Sequence, residues 1–179
     1  MANISNKAIQ MPASAIRKLV PLADAAKKQG TKVYHLNIGQ PDIKSPKCAL
    51  DAIKNFSLEN VSYSHSAGLM ELRKGLVEKY YKKIGIDITV DELIVTVAGS
   101  ESVNLALEIA CNPGDEVIVL EPFYTNYNTF AFMNGLTLKA IPTDIRNGFQ
   151  IPPIEEFEKA ITDKTKAILV CNPGNPTGT

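Results

Sequence analysis

The last residues of the chain are the ones whose types and spacing are best suited to chemistry. Residues 172–178 read Asn-Pro-Gly-Asn-Pro-Thr-Gly and directly follow an apolar run at 167–170. The run predicts a buried strand, and the prolines predict a rigid loop after it. An amide held on such a loop can donate a hydrogen bond to a phenolate-like oxygen or to a carboxylate. Alternatively, Asn-Pro-Gly only turns the chain, and we assign that role to Asn172.

A second candidate is the segment Val-Thr-Val-Ala-Gly-Ser-Glu-Ser at residues 95–102. It predicts a strand, a turn of small residues and the start of a helix. The first N–H groups of a helix and its positive dipole end can hold an anion, and Ala98 and Gly99 leave room for a phosphate near the backbone. The alternative is an ordinary tight turn in which Ser100 caps the helix.

A third candidate, Glu-Pro-Phe-Tyr at residues 121–124, follows a predicted strand at 116–120. Open α/β sheets bind ligands at the carboxyl ends of their strands, so an aromatic ring there can cover a planar ligand. The alternative is that Phe123 and Tyr124 pack in the core with the aromatic residues of the next helix. For Phe123 we prefer the core.

The elements that must position these residues follow an α/β pattern from residue 93 onward. Strands are predicted at 93–97, 116–120, 137–141 and 166–170, and helices near 101–110, 125–134 and 153–161. Apolar runs separated by amphipathic helices indicate mainly parallel strands joined by crossovers. The fold class is therefore α/β, a three-layer α/β/α arrangement with a mainly parallel sheet.

The preceding residues predict a separate small region. An arm leads into a helix that Pro21 kinks and Gly30 ends, and a short strand follows at 33–37. Further helices are predicted after Pro46 and at about 69–83. We place an N-terminal arm and small-domain segment at residues 1–45, and an incomplete large domain at residues 46–179.

Charge and cysteine content exclude several classes of protein. The 179 residues include 19 basic and 19 acidic side chains, so no bulk field attracts nucleic acid or an anionic membrane. No apolar run approaches the length of a membrane span. Cys48, Cys111 and Cys171 are odd in number and far apart, which argues against a disulfide framework or a zinc site. We expect a cytoplasmic protein with no metal site, no nucleic-acid partner and no membrane partner.

Five segments in one order resemble the class I/II aminotransferases, which use pyridoxal 5'-phosphate (PLP), and most closely their aspartate-aminotransferase-like branch. Besides the three segments above, residues 36–42 (Leu-Asn-Ile-Gly-Gln-Pro-Asp) and the stretch from Tyr63 to Arg73 match family signatures. The chain then corresponds to the N-terminal portion of such an enzyme. Its large domain is interrupted after Asn-Pro-Thr-Gly.

The resemblance implies roles for the candidate residues. Gly99, Ser100 and Glu101 would hold the cofactor phosphate through backbone and side chain, and Tyr124 would stack on the pyridine ring. Asn175 would bond the ring oxygen and help hold the substrate carboxylate, and its bond to Pro176 resembles one that the family often holds cis.

Two earlier residues receive roles from the resemblance alone. The Gly39 N–H would meet the substrate α-carboxylate, and Tyr63 would reach the cofactor phosphate of a neighbouring subunit in a homodimer. Without the resemblance, Gly39 is a turn glycine and Tyr63 an ordinary loop tyrosine.

The implied reaction transfers an amino group between an L-amino acid and a 2-oxo acid. In the family, the Schiff-base lysine lies beyond the Asn-Pro-Thr-Gly motif, so we expect it beyond Thr179 and assign no catalytic residue in this chain. We therefore expect the fragment to be inactive alone and to retain PLP weakly or not at all. Alternatives are a PLP-dependent carbon–sulfur lyase of the same fold, or a non-catalytic remnant that binds ligand or dimerises.

Ser100 bears on the substrate. Many aspartate-acting members of the branch have a lysine at this position, which meets the distal carboxylate. Serine offers a hydrogen bond without a charge, so an aspartate-like, alanine, aromatic or broad-range substrate remains open.

Overall fold

A computed structural model describes residues 3–14 and 16–179 of the chain. The α-helices, in chain order, are α1 (Asn6–Gln10), α2 (Val20–Lys28), α3 (Lys47–Lys54), α4 (Met70–Leu76), α5 (Gly99–Ala110), α6 (Asn126–Asn134) and α7 (Ile154–Ala160). The strands are β1 (Glu116–Glu121), β2 (Thr137–Pro142) and β3 (Thr165–Leu169). Among the described helices, none has the length and apolar character needed to cross a bilayer.

The described residues form two compact units. The first comprises the residues up to Ile38 together with Ser102–Thr179, and the second comprises Gly39–Glu101. The domain boundary predicted after residue 45 concerns the domains of a longer protein, which these two units do not test. That boundary therefore stays a prediction.

The sheet lies in the first unit and has the strand order β2-β1-β3. Both pairings are parallel, with Val117 opposite Leu138 in β2 and Ala167 in β3. Parallel neighbours require crossover connections, which the segments containing α6 and α7 supply. The predicted α/β class, the parallel sheet and the strands near 116–120, 137–141 and 166–170 are confirmed.

The middle of β1 is the most deeply buried part of the molecule. Val117 and Ile118 are 0% exposed and Val119 is 1% exposed. A central parallel strand is covered on both faces, so it has an uninterrupted apolar run instead of alternation. Val117 belongs to a core cluster whose other buried members are Leu107, Tyr127, Phe130, Ala131 and Leu136.

Helix α6 has a sharply defined end. Gly135 takes a left-handed conformation (φ 68°), and its N–H donates to carbonyls of the last turn. The Leu136 N–H then donates to the Ala131 carbonyl over 2.8 Å. This glycine cap turns the chain directly into β2.

Two predicted strands are wrong. In segment 93–97 the Val95 N–H donates to the Ala67 carbonyl, but the segment belongs to no sheet, and Val97 is 94% exposed. Segment 33–37 is also irregular, with Leu36 96% exposed. β-Branched and aromatic composition favours a strand, but a strand also needs a partner, and the described residues provide neither segment with one.

Two helix predictions need correction. Pro21 lies in the first turn of α2 and starts that helix instead of kinking it, because a first-turn N–H needs no intrahelical partner. The helix predicted over 69–83 is α-helical only at Met70–Leu76. It then widens into a π-helical turn at Val77–Tyr81 and tightens into a 3-10 turn at Lys82–Ile84.

Arg73 holds the second unit together. Its side chain is 4% exposed, and its Nε donates to the carbonyls of Val90 and Leu93 at 3.1 Å each. Its Nη2 also bonds the Val90 carbonyl and lies 3.6 Å from the Asp91 carboxylate. The guanidinium thus ties α4 to the segment that leads into residues 93–97.

We expect Arg73→Met to lower the free energy of unfolding by about 2–4 kcal/mol, because buried carbonyls lose their donors. Arg146→Met is the matched control. Arg146 pairs with Asp144 at 2.7 Å, but its side chain is 87% exposed, so its loss should cost much less than that of Arg73. Urea unfolding of both variants measures the difference, and equal effects would contradict the anchoring role of Arg73.

Gly68 is constrained by close contact with Val95. Its φ is 97°, and a Cβ added there would lie 2.6 Å from the Val95 Cβ. We expect Gly68→Ala to destabilise the protein by more than about 1 kcal/mol. Gly75→Ala, in α4 where an added Cβ meets open space, should instead stabilise it by about 0.5–1 kcal/mol. Thermal unfolding of the two variants should therefore shift in opposite directions.

Candidate active site

A cavity of about 330 Å³ lies at the carboxyl ends of the strands in the first unit. Its lining includes Leu120 and Pro122 at the end of β1, Thr143 after β2, and Cys171 and Asn175 after β3. Because parallel strands end at one edge of a sheet, the segments that follow them converge there. The volume is within the range of small-ligand sites. The cavity is therefore the candidate site of this unit.

The loop that carries Asn175 is closed on itself. The Gly174 N–H donates to the Thr179 carbonyl at 2.6 Å, and the Gly178 N–H donates to the Gly174 carbonyl at 2.7 Å. A Cβ on Gly174 would come too close to the Thr177 hydroxyl, which would have to move to make room for it. The Asn175-Pro176 peptide is cis, as the resemblance implied, and Asn172-Pro173 is cis too.

Tyr124 and Phe123 both pack against the core cluster. Phe123 stacks on Tyr127 with ring centroids 6.2 Å apart, and it also lines the cavity, so it is not confined to the core position preferred for it. Tyr124 meets Tyr127 edge-on at 5.6 Å, and its hydroxyl accepts a hydrogen bond from Asn126 Nδ2 at 2.7 Å. The Tyr124 ring is thus held at two points while remaining only half-buried.

The start of α5 lies in the second unit, and the Glu101 side chain, which was expected to face the phosphate, bonds within the turn instead. Ser100 is inside the helix, which begins at Gly99, so the alternative in which Ser100 is the N-cap is wrong. The Glu101 carboxylate accepts the Val97 N–H at 2.6 Å, and the Glu101 N–H donates to the Ala98 carbonyl at 3.0 Å. A Cβ added to Gly99 would meet no atom within 4 Å, so there is space beside it.

The remaining predicted residues, Gly39 and Tyr63, also belong to the second unit. Tyr63 is fully exposed, and a Cβ at Gly39 would meet no atom within 4 Å. The candidate residues are therefore divided, with Tyr124 and Asn175 in the first unit and the others in the second. Among the described residues, no group of three or more His, Cys, Asp or Glu side chains could hold a metal ion.

Tyr127 is a site residue to which the sequence assigned only a core position. It lines the cavity, yet only 7% of it is exposed. The pKa of its hydroxyl is raised to about 12, mainly by burial. Hydrogen bonding to the Cys171 thiol and the electrostatic effects of Cys171 and Tyr124 raise this pKa further. Its spacing from Tyr124, one helical turn, is the only sequence signal that links it to the site.

The comparisons with known proteins agree with this fold. The family described as aminotransferase class I and II matches residues 31–179. The chain is similar to the aspartate/prephenate aminotransferase of Thermus thermophilus, with 33% identity over 99% of this chain and 46% of that protein. It is also similar to the (5-formylfuran-3-yl)methyl phosphate transaminase of Methanocaldococcus jannaschii, with 33% identity over 98% of this chain and 45% of that protein.

Among solved structures, an alanine aminotransferase from Pyrococcus furiosus superposes with a TM-score of 0.86 at 38% identity, covering 99% of this chain and 46% of that one. The structure is thus an α/β fold of the three-layer aminotransferase type. The chain belongs to the class I and II aminotransferase family. It spans about half the length of the relatives that it matches.

The raised pKa of Tyr127 predicts a pH dependence of stability. The folded state keeps the proton up to about pH 12, whereas an unfolded tyrosine loses it near pH 10. This contribution to stability is therefore complete below pH 10 and is lost as the pH rises toward 12. We expect the free energy of unfolding to fall by up to about 1.4 kcal/mol per pH unit in that window.

Urea unfolding between pH 9 and pH 12 would measure this slope in wild type and in Tyr127→Phe, and the variant should show a shallower slope. Tyr63→Phe, at a fully exposed position, is the control and should keep the wild-type slope. Identical slopes in all three proteins would contradict the assignment.

Proposed function

We propose that this chain contributes part of the active site of a PLP-dependent aminotransferase, which transfers an amino group between an L-amino acid and a 2-oxo acid. The observation that carries the proposal is Asn175, held on a closed loop in a cavity at the carboxyl edge of the sheet. Membership of the aminotransferase family supports the same reading.

The residues present fit the cofactor in their chemistry. PLP carries a phosphate, an aromatic ring and a ring oxygen, which call for N–H or hydroxyl donors, an aromatic surface and an amide donor. Gly99 and Ser100, at the start of a 12-residue helix, provide the donors for the phosphate, and there is open space beside Gly99. The half-buried ring of Tyr124 provides the aromatic surface, and the amide of Asn175 provides the donor for the ring oxygen.

When bound, PLP supplies an electron sink for the bond broken at the amino acid α-carbon. Ser100 and the backbone of Gly99 would hold the phosphate, and the α5 dipole would favour its negative charge. Glu101 is proposed only as a backbone neighbour, because its carboxylate is engaged with Val97. Tyr124 would cover one face of the pyridine ring.

Asn175 would donate to the ring oxygen of the cofactor and orient the substrate carboxylate, which the Gly39 N–H would also meet. Because backbone hydrogen bonds close the loop around Asn175, the backbone that carries the amide is ordered before the ligand arrives. Binding then costs less ordering of the protein.

The substrate class follows from charge. The relatives are named for aspartate, prephenate and a furan phosphate, and a structural neighbour is named for alanine. Ser100 brings no positive charge, so we propose a broad range that includes uncharged amino acids. Tyr63 is fully exposed and therefore available to a second subunit, so we also propose that the protein is a homodimer. We further propose that it acts in the cytoplasm.

We expect Asn175→Asp to weaken PLP binding at least tenfold in the protein that the reading frame encodes. The substitution removes an amide donor and places a carboxylate beside an electron-rich ring oxygen. Asn128→Asp is the matched control, because it makes the same change at an exposed position of α6 in the same unit, outside the lining of the cavity. Titration followed by absorbance measures both affinities, and an equal loss in the two variants would contradict the role of Asn175.

Borohydride reduction with PLP, followed by peptide mass spectrometry, tests the expectation that the catalytic lysine lies outside residues 1–179. We expect no specific reduced adduct on any lysine of this segment. A single lysine within it that is labelled stoichiometrically would overturn that expectation. Exchange of amino groups between alanine or aspartate and 2-oxoglutarate, measured in the encoded protein, tests the activity itself.

A further inference from the structure

Phe149 has a backbone conformation that a bulky side chain rarely adopts. Its φ is 57°, and among the described residues it is the only one other than glycine with a positive φ. In this left-handed region the Cβ crowds a neighbouring carbonyl, so the conformation persists only where surrounding contacts enforce it. Such residues cluster at ligand-binding and active sites. The position of the Phe149 side chain is therefore maintained against a local cost.

A hydrogen-bonded turn after β2 enforces this conformation. The Phe149 N–H donates to the Asp144 carbonyl at 2.9 Å, and the preceding Gly148 N–H donates to the Ile145 carbonyl at 3.1 Å. The Asp144 carboxylate accepts the Arg146 N–H at 2.8 Å and pairs with the guanidinium of the same residue. Both the backbone and a side chain thus close the turn that carries the Phe149 ring.

The Phe149 side chain lies at the cavity that also contains Asn175. It is half-buried, but it is not one of the residues that pack against the core cluster. Leu120 at the end of β1 and Leu169 at the end of β3 line the same cavity. The lining therefore combines an apolar surface, to which Phe149 contributes an aromatic ring, with the amide of Asn175.

None of the described residues that line this cavity carries a charged side chain. The polar side chains in the lining are hydroxyls, amides and one thiol, among them Thr143 and Gln150. A charged group that enters such a site loses its hydration without gaining an ionic partner, whereas an apolar group gains from leaving water. The chemistry of the lining thus favours a ligand with an uncharged, apolar group.

We propose that Phe149 is a specificity-determining residue, whose ring forms an apolar wall for the side chain of the amino-acid substrate. The substrate class is then an amino acid with an apolar side chain, such as leucine. This inference rests on the proposed function, because Asn175 would orient the carboxylate of that substrate in the same cavity. The competing explanation is that Phe149 only completes the turn, in which case its ring affects all substrates alike.

Two substitutions remove the ring and keep the backbone. Asparagine and glycine both adopt a positive φ at low cost, so Phe149→Asn and Phe149→Gly should preserve the turn. In the protein that the reading frame encodes, we measure kcat/KM for leucine and for alanine, each with 2-oxoglutarate. We expect both substitutions to lower the leucine-to-alanine ratio by about 5- to 50-fold, the effect of losing apolar contacts to a few carbon atoms.

Ile145→Asn is the matched control. It replaces an apolar side chain with the same amide in the same turn, but Ile145 is 73% exposed and lies outside the lining of the cavity. The ratio of kcat/KM values should therefore stay at the wild-type level. An equal fall in Ile145→Asn and Phe149→Asn would assign the effect to the turn and overturn the proposal, as would an unchanged ratio in Phe149→Asn and Phe149→Gly.

Binding without the cofactor provides an independent measurement. We titrate 4-methyl-2-oxopentanoate, which has a branched apolar side chain, and pyruvate, which has a methyl group, into the encoded protein free of PLP. The amide NMR signals of Thr143 and Gly148 report on the cavity that they line. We expect the branched acid to bind at least about fivefold more tightly than pyruvate, and Phe149→Asn but not Ile145→Asn to abolish this preference.

The titration also separates this proposal from the proposed function. Equal affinities of the two acids in wild type, or a preference that Phe149→Asn retains, overturn the role of Phe149 even in a protein that exchanges amino groups. If wild type exchanges no amino groups with any amino acid, the proposed function fails. The preference in the titration and its loss in Phe149→Asn then decide on Phe149 by themselves.

Discussion

The burial of β1 on both faces is the constraint on which the rest of the first unit depends. Val117, Ile118 and Val119 have essentially no exposed surface, so they require a strand on each edge and packed side chains on each face. Parallel neighbours satisfy the edges only if the chain crosses over twice, and those crossovers contain α6 and α7. Because all three strands then run the same way, the segments after them meet at one edge, where the cavity lies.

The second unit depends on contacts of a different kind. It contains no strand among its described residues, and its segments are joined by the buried Arg73 guanidinium and by the close approach of Gly68 to Val95. In the second unit, hydrogen bonds to carbonyls and one close van der Waals contact therefore take the place of the backbone hydrogen bonds between strands. The start of α5 follows directly from this region, so the geometry of the proposed phosphate turn depends on these few contacts.

Sequence reasoning succeeded where local pattern and burial agree. The apolar run of β1, the helix near 125–134 and the loop after β3 all follow from composition and turn chemistry. It failed at segments 33–37 and 93–97, because a strand requires a partner that local pattern cannot reveal. It also missed that Tyr127 and Cys171 line the same cavity, since only the folding of α6 and β3 into one unit brings them there. Glu101 shows a similar limit, as its bond to the Val97 N–H depends on a rotamer.

The strand order also sets a sequence of events for a chain that emerges from the ribosome. β1 can pair with β2 as soon as Pro142 has been made, but its other edge must wait until Leu169. During that interval the most apolar strand of the protein has an unsatisfied backbone edge, at a synthesis rate of about 5–20 residues per second. The nascent chain is therefore open to edge-to-edge association for seconds, a hazard that is no longer visible once β1 lies between β2 and β3.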